Sequence, residues 1–262
     1  MEFAIQNIVK YYNFYCDEQT SPITRDWFLV GKPFQVICLL GFYFYFCTHL
    51  GPRFMKHRNP YDVTIFMKLY NIAQILLSIY MISQGTTYIL FYNFNMNCQG
   101  LETDEDTARW MAREVWTYYM IKISELLDTV LFVLRKSNRQ ITPLHLHHHM
   151  LMTVSAWFAT TYVPGGQGIL IGYVNAFVHM IMYTYYFIAG CGDKYKKYLW
   201  WKKHVTELQL AQFVFLELHS INSLFYECQY NLIYKLLTIF YATFFIKSFG
   251  SFYYNNYIKK VK

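Results

Sequence analysis

The sequence predicts an all-α, polytopic membrane protein with seven transmembrane helices, and three observations predict it. Of 262 residues, 55% are hydrophobic and 21% aromatic, while only 15% are charged, against about 25% in a soluble globular protein. The charges are also gathered into short stretches. No Asp, Glu, Lys or Arg occurs from Met150 to Gly192, from Leu69 to Cys98 or from Pro33 to Pro52. A hydrocarbon core of roughly 30 Å takes about 20 apolar residues per crossing, so the longest gap can cross twice. Finally, strongly basic segments alternate with segments that lack basic residues. This balance excludes intrinsic disorder, which needs low hydrophobicity and high net charge, and argues against a soluble enzyme.

In chain order, residues 1–28 form a mixed polar segment with Asp17, Glu18 and Pro22. It lacks the basic, apolar and cleavable layout of a signal peptide. Residues 29–250 form one membrane domain, with spans expected near 29–50, 63–93, 115–135, 148–163, 168–188, 204–227 and 231–250. Val163-Pro164-Gly165-Gly166 joins the fourth and fifth as a tight turn, because Pro and Gly suit a hairpin and not a helix interior. Spans of this length are helices, since barrel strands are segments of roughly ten alternating residues. Residues 251–262 form a tail.

Orientation follows from the basic loops. Arg53, Lys56 and Arg58; Arg135, Lys136 and Arg139; Lys194, Lys196, Lys197, Lys202 and Lys203; and the tail Lys259, Lys260 and Lys262 form one set. The intervening loops are poor in basic residues or acidic, as at Glu102, Asp104, Glu105 and Asp106. The positive-inside rule puts the basic set in the cytosol, hence a non-cytosolic N-terminus and a cytosolic C-terminus. The formal charge of +7 is an orientation signal, and no nucleic-acid partner is expected because no soluble domain carries a basic face. Cys98 and Cys228 fall in loops on the same non-cytosolic side, where oxidising conditions favour a disulfide. Cys16 is the competing partner, and Cys38, Cys47 and Cys191 are expected as free thiols.

Ionisable groups within spans are expensive and tend to carry function, and four constellations each share a helical face. Lys122, Glu125, Asp128 and Thr129 fall within an arc of roughly 120°, although Lys122 and Glu125 at i,i+3 also suit a purely structural ion pair. His145, His148 and His149 share a face at the cytosolic end of span four, while His147 points elsewhere. Clustered imidazoles serve metal binding, nucleophilic or general-base chemistry, or proton relay. Asn175, His179, Met182, Tyr183 and Tyr186 form a stripe in span five that packing alone would also explain. Thr206, Gln209, Gln212 and Phe213 begin span six, where amides also serve as interhelical hydrogen-bond partners. At about 1.5 Å per residue, all four faces fall in the cytosolic half of the bundle. The expected shape is a polar chamber open to the cytosol that continues into an apolar blind channel, suited to a charged head and a long alkyl tail.

Together these motifs resemble the very-long-chain fatty acid elongase (ELO) family of condensing enzymes, over about Gly51 to Phe249. The resemblance rests on K-x-x-E-x-x-D-T (Lys122 to Thr129), H-x-x-H-H (His145 to His149), N-x-F-V-H-x-x-M-Y-x-Y-Y (Asn175 to Tyr186) and T-x-x-Q-x-x-Q-F (Thr206 to Phe213). G-P-x-x-M-x-x-R-x-P (Gly51 to Pro60) also fits. His147 departs from it, since the family more often has an aromatic residue there.

The resemblance implies a seven-helix protein of the endoplasmic reticulum membrane, six helices enclosing an acyl tunnel. The implied reaction joins a long-chain acyl-CoA to malonyl-CoA, releasing CO2 and CoA and leaving a 3-oxoacyl-CoA two carbons longer. Lys259-Lys260-Val261-Lys262 matches a dilysine retrieval signal. No Ser or Cys sits in a recognisable nucleophile motif, so imidazole is the available nucleophile. His148 is expected to form an acyl-imidazole, with His179 polarising a thioester oxygen or stabilising the enolate, and His145, His149 and Asp128 fixing tautomers and moving protons. Lys122, Glu125, Thr129, Asn175, Met182, Tyr183, Tyr186, Gln209 and Gln212 are expected around the substrates, with Arg135, Lys136 and Lys202 meeting CoA phosphates. No metal and no cofactor beyond the two CoA substrates is expected. Expected partners are the bilayer, the reductases and dehydratase of the elongation cycle, and a second copy of the chain.

Two rival readings remain. A membrane di-iron desaturase or hydroxylase needs about eight His ligands over several boxes, and His49, His57, His204 and His219 form no second box. A seven-helix transporter or receptor would lack a reason for clustered histidines, and transporters typically carry broken helices at the midplane.

Overall fold

The computed structural model describes residues 19–259. Cys16, residues 1–18 of the N-terminal segment, and Lys260-Val261-Lys262 of the dilysine tail lie outside the described residues. Within them the chain is helical and contains no strand. Four helical segments are long and apolar enough to cross a membrane: Pro33–Met55, Thr64–Phe91, Gly168–Gly190 and Leu232–Ile258. The other long helices carry most of the polar constellations. The described chain divides into two compact units, one from residues 19–59 and 101–168, the other from 60–100 and 169–259.

In the first unit, α1 (Pro33–Tyr45) begins with Pro at its first positions, where a missing N–H costs nothing. Val36, Leu40 and Tyr43 are buried at intervals of four and three, one helical face. Phe34, Ile37 and Phe42 stay exposed. The span is expected to end at 50, but the helix continues through a π-helical turn (Phe46–Leu50) into α2 (Gly51–Met55). The wider turn is the correction: Pro52 has no N–H and its ring crowds the carbonyl four residues back, and a π turn relieves both. A Cβ on Gly51 would lie 2.6 Å from Val133 Cγ1 and 2.8 Å from the Phe46 carbonyl oxygen, so α2 runs close against α5 (Leu127–Leu134).

α4 (Glu105–Glu125) starts ten residues before the expected 115. Its start is set by capping and not by apolarity. The Asp104 carboxylate accepts from the Thr107 N–H (2.9 Å) and hydroxyl (2.7 Å), and Glu105 and Asp106 in the first turn favour the positive end of the helix dipole. The Thr107 hydroxyl, then its amide, hold the Asp104 carboxyl below its ordinary range. α4 gives way to α5 at Leu126, whose N–H bonds Ile123 O (3.2 Å) in a tightened turn.

α6 (Pro143–Tyr162) likewise starts before the expected 148, because the Thr142 hydroxyl accepts from the His145 N–H (3.1 Å) and Pro143 occupies the first turn. The histidine tract therefore lies inside the helix. α6 ends at the Val163–Gly166 turn, where Gly165 and Gly166 have φ of 149° and 56°, values that favour glycine. The core joins Val36, Leu40, Tyr43, Tyr119, Leu126, Leu146 and Trp157.

In the second unit lie α3 (Thr64–Phe91), α7 (Gly168–Gly190), α8 (Lys202–Asn222) and α9 (Leu232–Tyr253). α9 starts at Asn231, whose side chain accepts from the Ile233 N–H (2.9 Å). It runs past the expected 250 into a π turn, Tyr254–Ile258, so part of the expected tail is helical. α8 and α9 pack along one another, with Phe213 5.2 Å from both Phe245 and Phe249. Cys98 and Cys228 are joined in a disulfide with Cα atoms 5.8 Å apart, inside the normal range. Cys38, Cys47 and Cys191 are free thiols.

Candidate active site

The first unit holds a polar cluster built from α1, α4, α5 and α6. Lys122 Nζ lies 2.7 Å from Glu125 Oε1, and each side chain is 2% exposed. Their i,i+3 spacing on α4 puts both on one face, and the Lys122 ammonium also stands 4.7 Å from the Tyr118 ring centre, a cation–π distance. Burying two charges costs several kcal/mol per ion. The pair is therefore a poor source of stability. Asp128 and Thr129, beyond the tightened turn, are buried as well.

Thr129 Oγ1 is a hub. Tyr43 Oη lies 2.6 Å from it and His145 Nε2 lies 3.0 Å from it. One hydroxyl has one hydrogen and two acceptor positions, so it serves both partners at once. The His145 and His149 rings are 4.4 Å apart and those of His148 and His149 5.5 Å, with Phe132 5.3 Å from His145. His149 is buried, His145 and His148 are half-buried, and His147 is exposed. One turn on, the Thr153 hydroxyl points at His149 O (2.9 Å) and Lys122 O (3.4 Å), fastening α6 to α4. Imidazoles packed in tilted and edge-on pairs beside a hydroxyl hub and a buried ion pair can supply a nucleophile, a base and a proton path. Arg135 is exposed and Lys136 half-exposed, just beyond α5.

The second unit holds the α7 stripe. Asn175, His179, Met182 and Tyr183 are buried. The His179 and Tyr183 rings are 5.8 Å apart, and Tyr70 of α3 meets Tyr183 edge-on at 6.1 Å. Tyr186 contacts Tyr183 at 5.9 Å but is 38% exposed, so the buried part of the stripe ends before it. Gln209 Nε2 points at Met182 Sδ (3.5 Å), fastening α8 to α7. Thr206, Gln212 and Phe213 are buried, and Lys202 is exposed at the start of α8. Among the described residues, no group of three or more His, Cys, Asp and Glu is arranged to hold a metal ion.

Several buried polar groups escaped sequence reasoning. Tyr43 carried no signal, being one of 26 tyrosines. Asn71, Gln74 and Ser78 are buried on α3, and their spacing of three and four on one face was legible in a charge-free stretch.

A helical chain with four segments long and apolar enough to cross a membrane, and with clustered imidazoles beside a buried ion pair, has the features of a membrane protein with a buried polar site. Comparison with known proteins sharpens this. A model of the GNS1/SUR4 (ELO) family matches residues 28–262, and the chain belongs to that family. It is similar to a very long chain fatty acid elongase of Aedes aegypti, 36% identical over 245 residues that cover 93% of this chain and 68% of the relative. It is also similar to very long chain fatty acid elongase 7 of Rattus norvegicus, 36% identical over 246 residues (92% and 87% covered). Human very long chain fatty acid elongase 1 is 35% identical over 246 residues (92% and 88% covered).

Proposed function

We propose that this protein is a condensing enzyme of fatty acid elongation, joining a long-chain acyl-CoA to malonyl-CoA to give a 3-oxoacyl-CoA, CO2 and CoA. The observation that carries the reading is the ring-to-ring packing of His145, His148 and His149, with His145 hydrogen-bonded to Thr129. A nitrogen of His148 attacks the thioester carbonyl. The C–S bond breaks, CoA leaves as a thiolate that takes up a proton, and an acyl-imidazole remains. Splitting one difficult acyl transfer into two easier steps is the benefit of covalent catalysis. Malonyl-CoA then loses CO2, and the electron pair of the broken C–C bond forms an enolate that attacks the acyl carbon. The acyl–nitrogen bond breaks and its pair returns to His148.

His145, His149 and Asp128 hold tautomers and pass protons in this scheme. His179, flanked by Tyr183, is assigned to polarising a thioester oxygen or stabilising the enolate. Gln209, Gln212 and Asn175 are assigned as donors to the substrates, and Arg135, Lys136 and Lys202 to the CoA phosphates. The expected seven spans with six enclosing an acyl tunnel, the endoplasmic reticulum location with a cytosolic C-terminus, and the elongation-cycle reductases and dehydratase as partners belong to the same reading. Family membership and the relatives' names favour it over a di-iron desaturase or a transporter.

The test is His148→Ala. Incubated with acyl-CoA, wild-type protein should gain one acyl chain by intact mass and then incorporate labelled malonyl carbon. The variant, folded by size-exclusion criteria, should do neither. Normal turnover by His148→Ala would overturn the nucleophile assignment.

A further inference from the structure

The Cys98–Cys228 disulfide is chemically asymmetric. Cys98 is buried, whereas Cys228 is half-exposed. Lys235, near the start of α9, is itself buried and directs Nζ at Cys98 Sγ (3.0 Å) and at the Ser223 carbonyl oxygen (2.8 Å). An amine held by a carbonyl oxygen on one side has its remaining N–H bonds free to serve the sulfur on the other. A lysine ammonium is a point charge with three donors and no acceptor capacity, and cationic neighbours stabilise thiolates.

We infer that Cys228 Sγ is a thiol-exchange site, at which an external thiolate forms a mixed disulfide while Cys98 departs as a thiolate paired with the Lys235 ammonium. Thiol–disulfide exchange depends on which sulfur is accessible and on how stable the departing thiolate is, and both select the same direction here. The incoming sulfur bonds Cys228 Sγ, the Cys98–Cys228 bond breaks, and its electron pair stays on Cys98 Sγ. With a dithiol partner, the second thiol attacks the mixed disulfide. It releases Cys228 as a thiol and leaves the partner oxidised, so two electrons have passed to the protein. The chain between the two cysteines, 130 residues in sequence separation, is then no longer closed.

The experiment uses purified full-length protein and reduced glutathione, quenched with an alkylating reagent and digested. Glutathione should appear on Cys228 and the alkyl group on Cys98. Adduct on Cys98, or on both cysteines equally, would overturn the assignment, and this arm needs no variant. In the second arm, Lys235→Met should slow exchange roughly tenfold by removing the charge beside the departing sulfur, while Lys235→Arg should stay near wild type. Equal rates for Lys235→Met and wild type would also overturn it.

Discussion

Tyr43 Oη lies 2.6 Å from Thr129 Oγ1, and the same oxygen lies 3.0 Å from His145 Nε2. A phenol on α1 thereby reaches the histidine tract on α6 through one hydroxyl of α5, all inside one unit. With Tyr43 in place, Thr129 has a fixed partner on one side and can present a defined donor or acceptor to His145. Tyr43→Phe keeps the ring that packs in the core but removes that constraint. A net hydrogen bond is worth about 1 kcal/mol, so condensation should slow by about fivefold and the melting temperature should fall by about 2–4 °C. Thr129→Val should slow it more, and Thr129→Ser should recover most of the rate. Single-turnover acylation with each variant reads the effect, and an unaltered rate in Thr129→Val would show that the Thr129 hydroxyl does not position His145.

The Lys122–Glu125 pair makes a different demand. Removing one partner strands the other as a buried charge, at a cost of about 3–5 kcal/mol. Lys122→Met and Glu125→Leu should each lower the apparent melting temperature steeply in detergent. The double variant Lys122→Met/Glu125→Leu should recover part of the loss, because neither member of the pair is then left facing an apolar side chain, although Asp128 still loses the nearby Lys122 charge. If the double variant is stable but inactive, the pair is kept for its field. If it is stable and fully active, the pair is structural.

The helical character and the identities of the polar faces were legible because two physical signals are strong in a membrane protein. Charge is excluded from long stretches, and residues three and four apart share a face. Lys122, Glu125, Asp128 and Thr129 are all buried, as one face requires. Helix ends were less legible, since hydropathy marks the apolar stretch and not the cap. Asp104 and Thr142 start α4 and α6 outside the apolar stretch, and the π turn carries α1 past a proline that reads as a stop. Tyr43 could not be found at all, because its role depends on packing between helices distant in sequence.

The Asp104 cap has a pH signature. Its carboxyl is held below the ordinary value by the Thr107 hydroxyl and amide. Its support for the start of α4 is therefore complete above the unfolded value of about 3.9 and is lost as pH falls through the lower folded value. Amide exchange at the first turn of α4, corrected for intrinsic rate, should rise on acidification into that window. Asp104→Ala should show raised exchange already at neutral pH and only a smaller further rise on acidification, the share that Glu105 and Asp106 contribute. A wild-type-like pH response in Asp104→Ala would mean that another carboxylate controls the turn.

Gly85 is where α3 and α7 approach most tightly among the glycines of the second unit. A Cβ there would stand 2.5 Å from Tyr173 Cδ2 and 3.2–3.3 Å from its Cγ and Cβ. The crowding reaches the base of the tyrosine side chain, which cannot swing aside as a flexible tip would, and the Thr86 hydroxyl bonds Tyr173 Oη (3.3 Å). Gly85→Ala should therefore push the helices apart and destabilise by about 1–3 kcal/mol, the usual range for overpacking, even though alanine is the better helix former. Tyr173→Ala alone should leave a cavity and also destabilise. The pair Gly85→Ala/Tyr173→Ala should lose less than the sum of the two, because the added methyl enters the space the ring vacates. Apparent melting temperatures of the four proteins measure the coupling, and simple additivity would show that the two residues do not share that space.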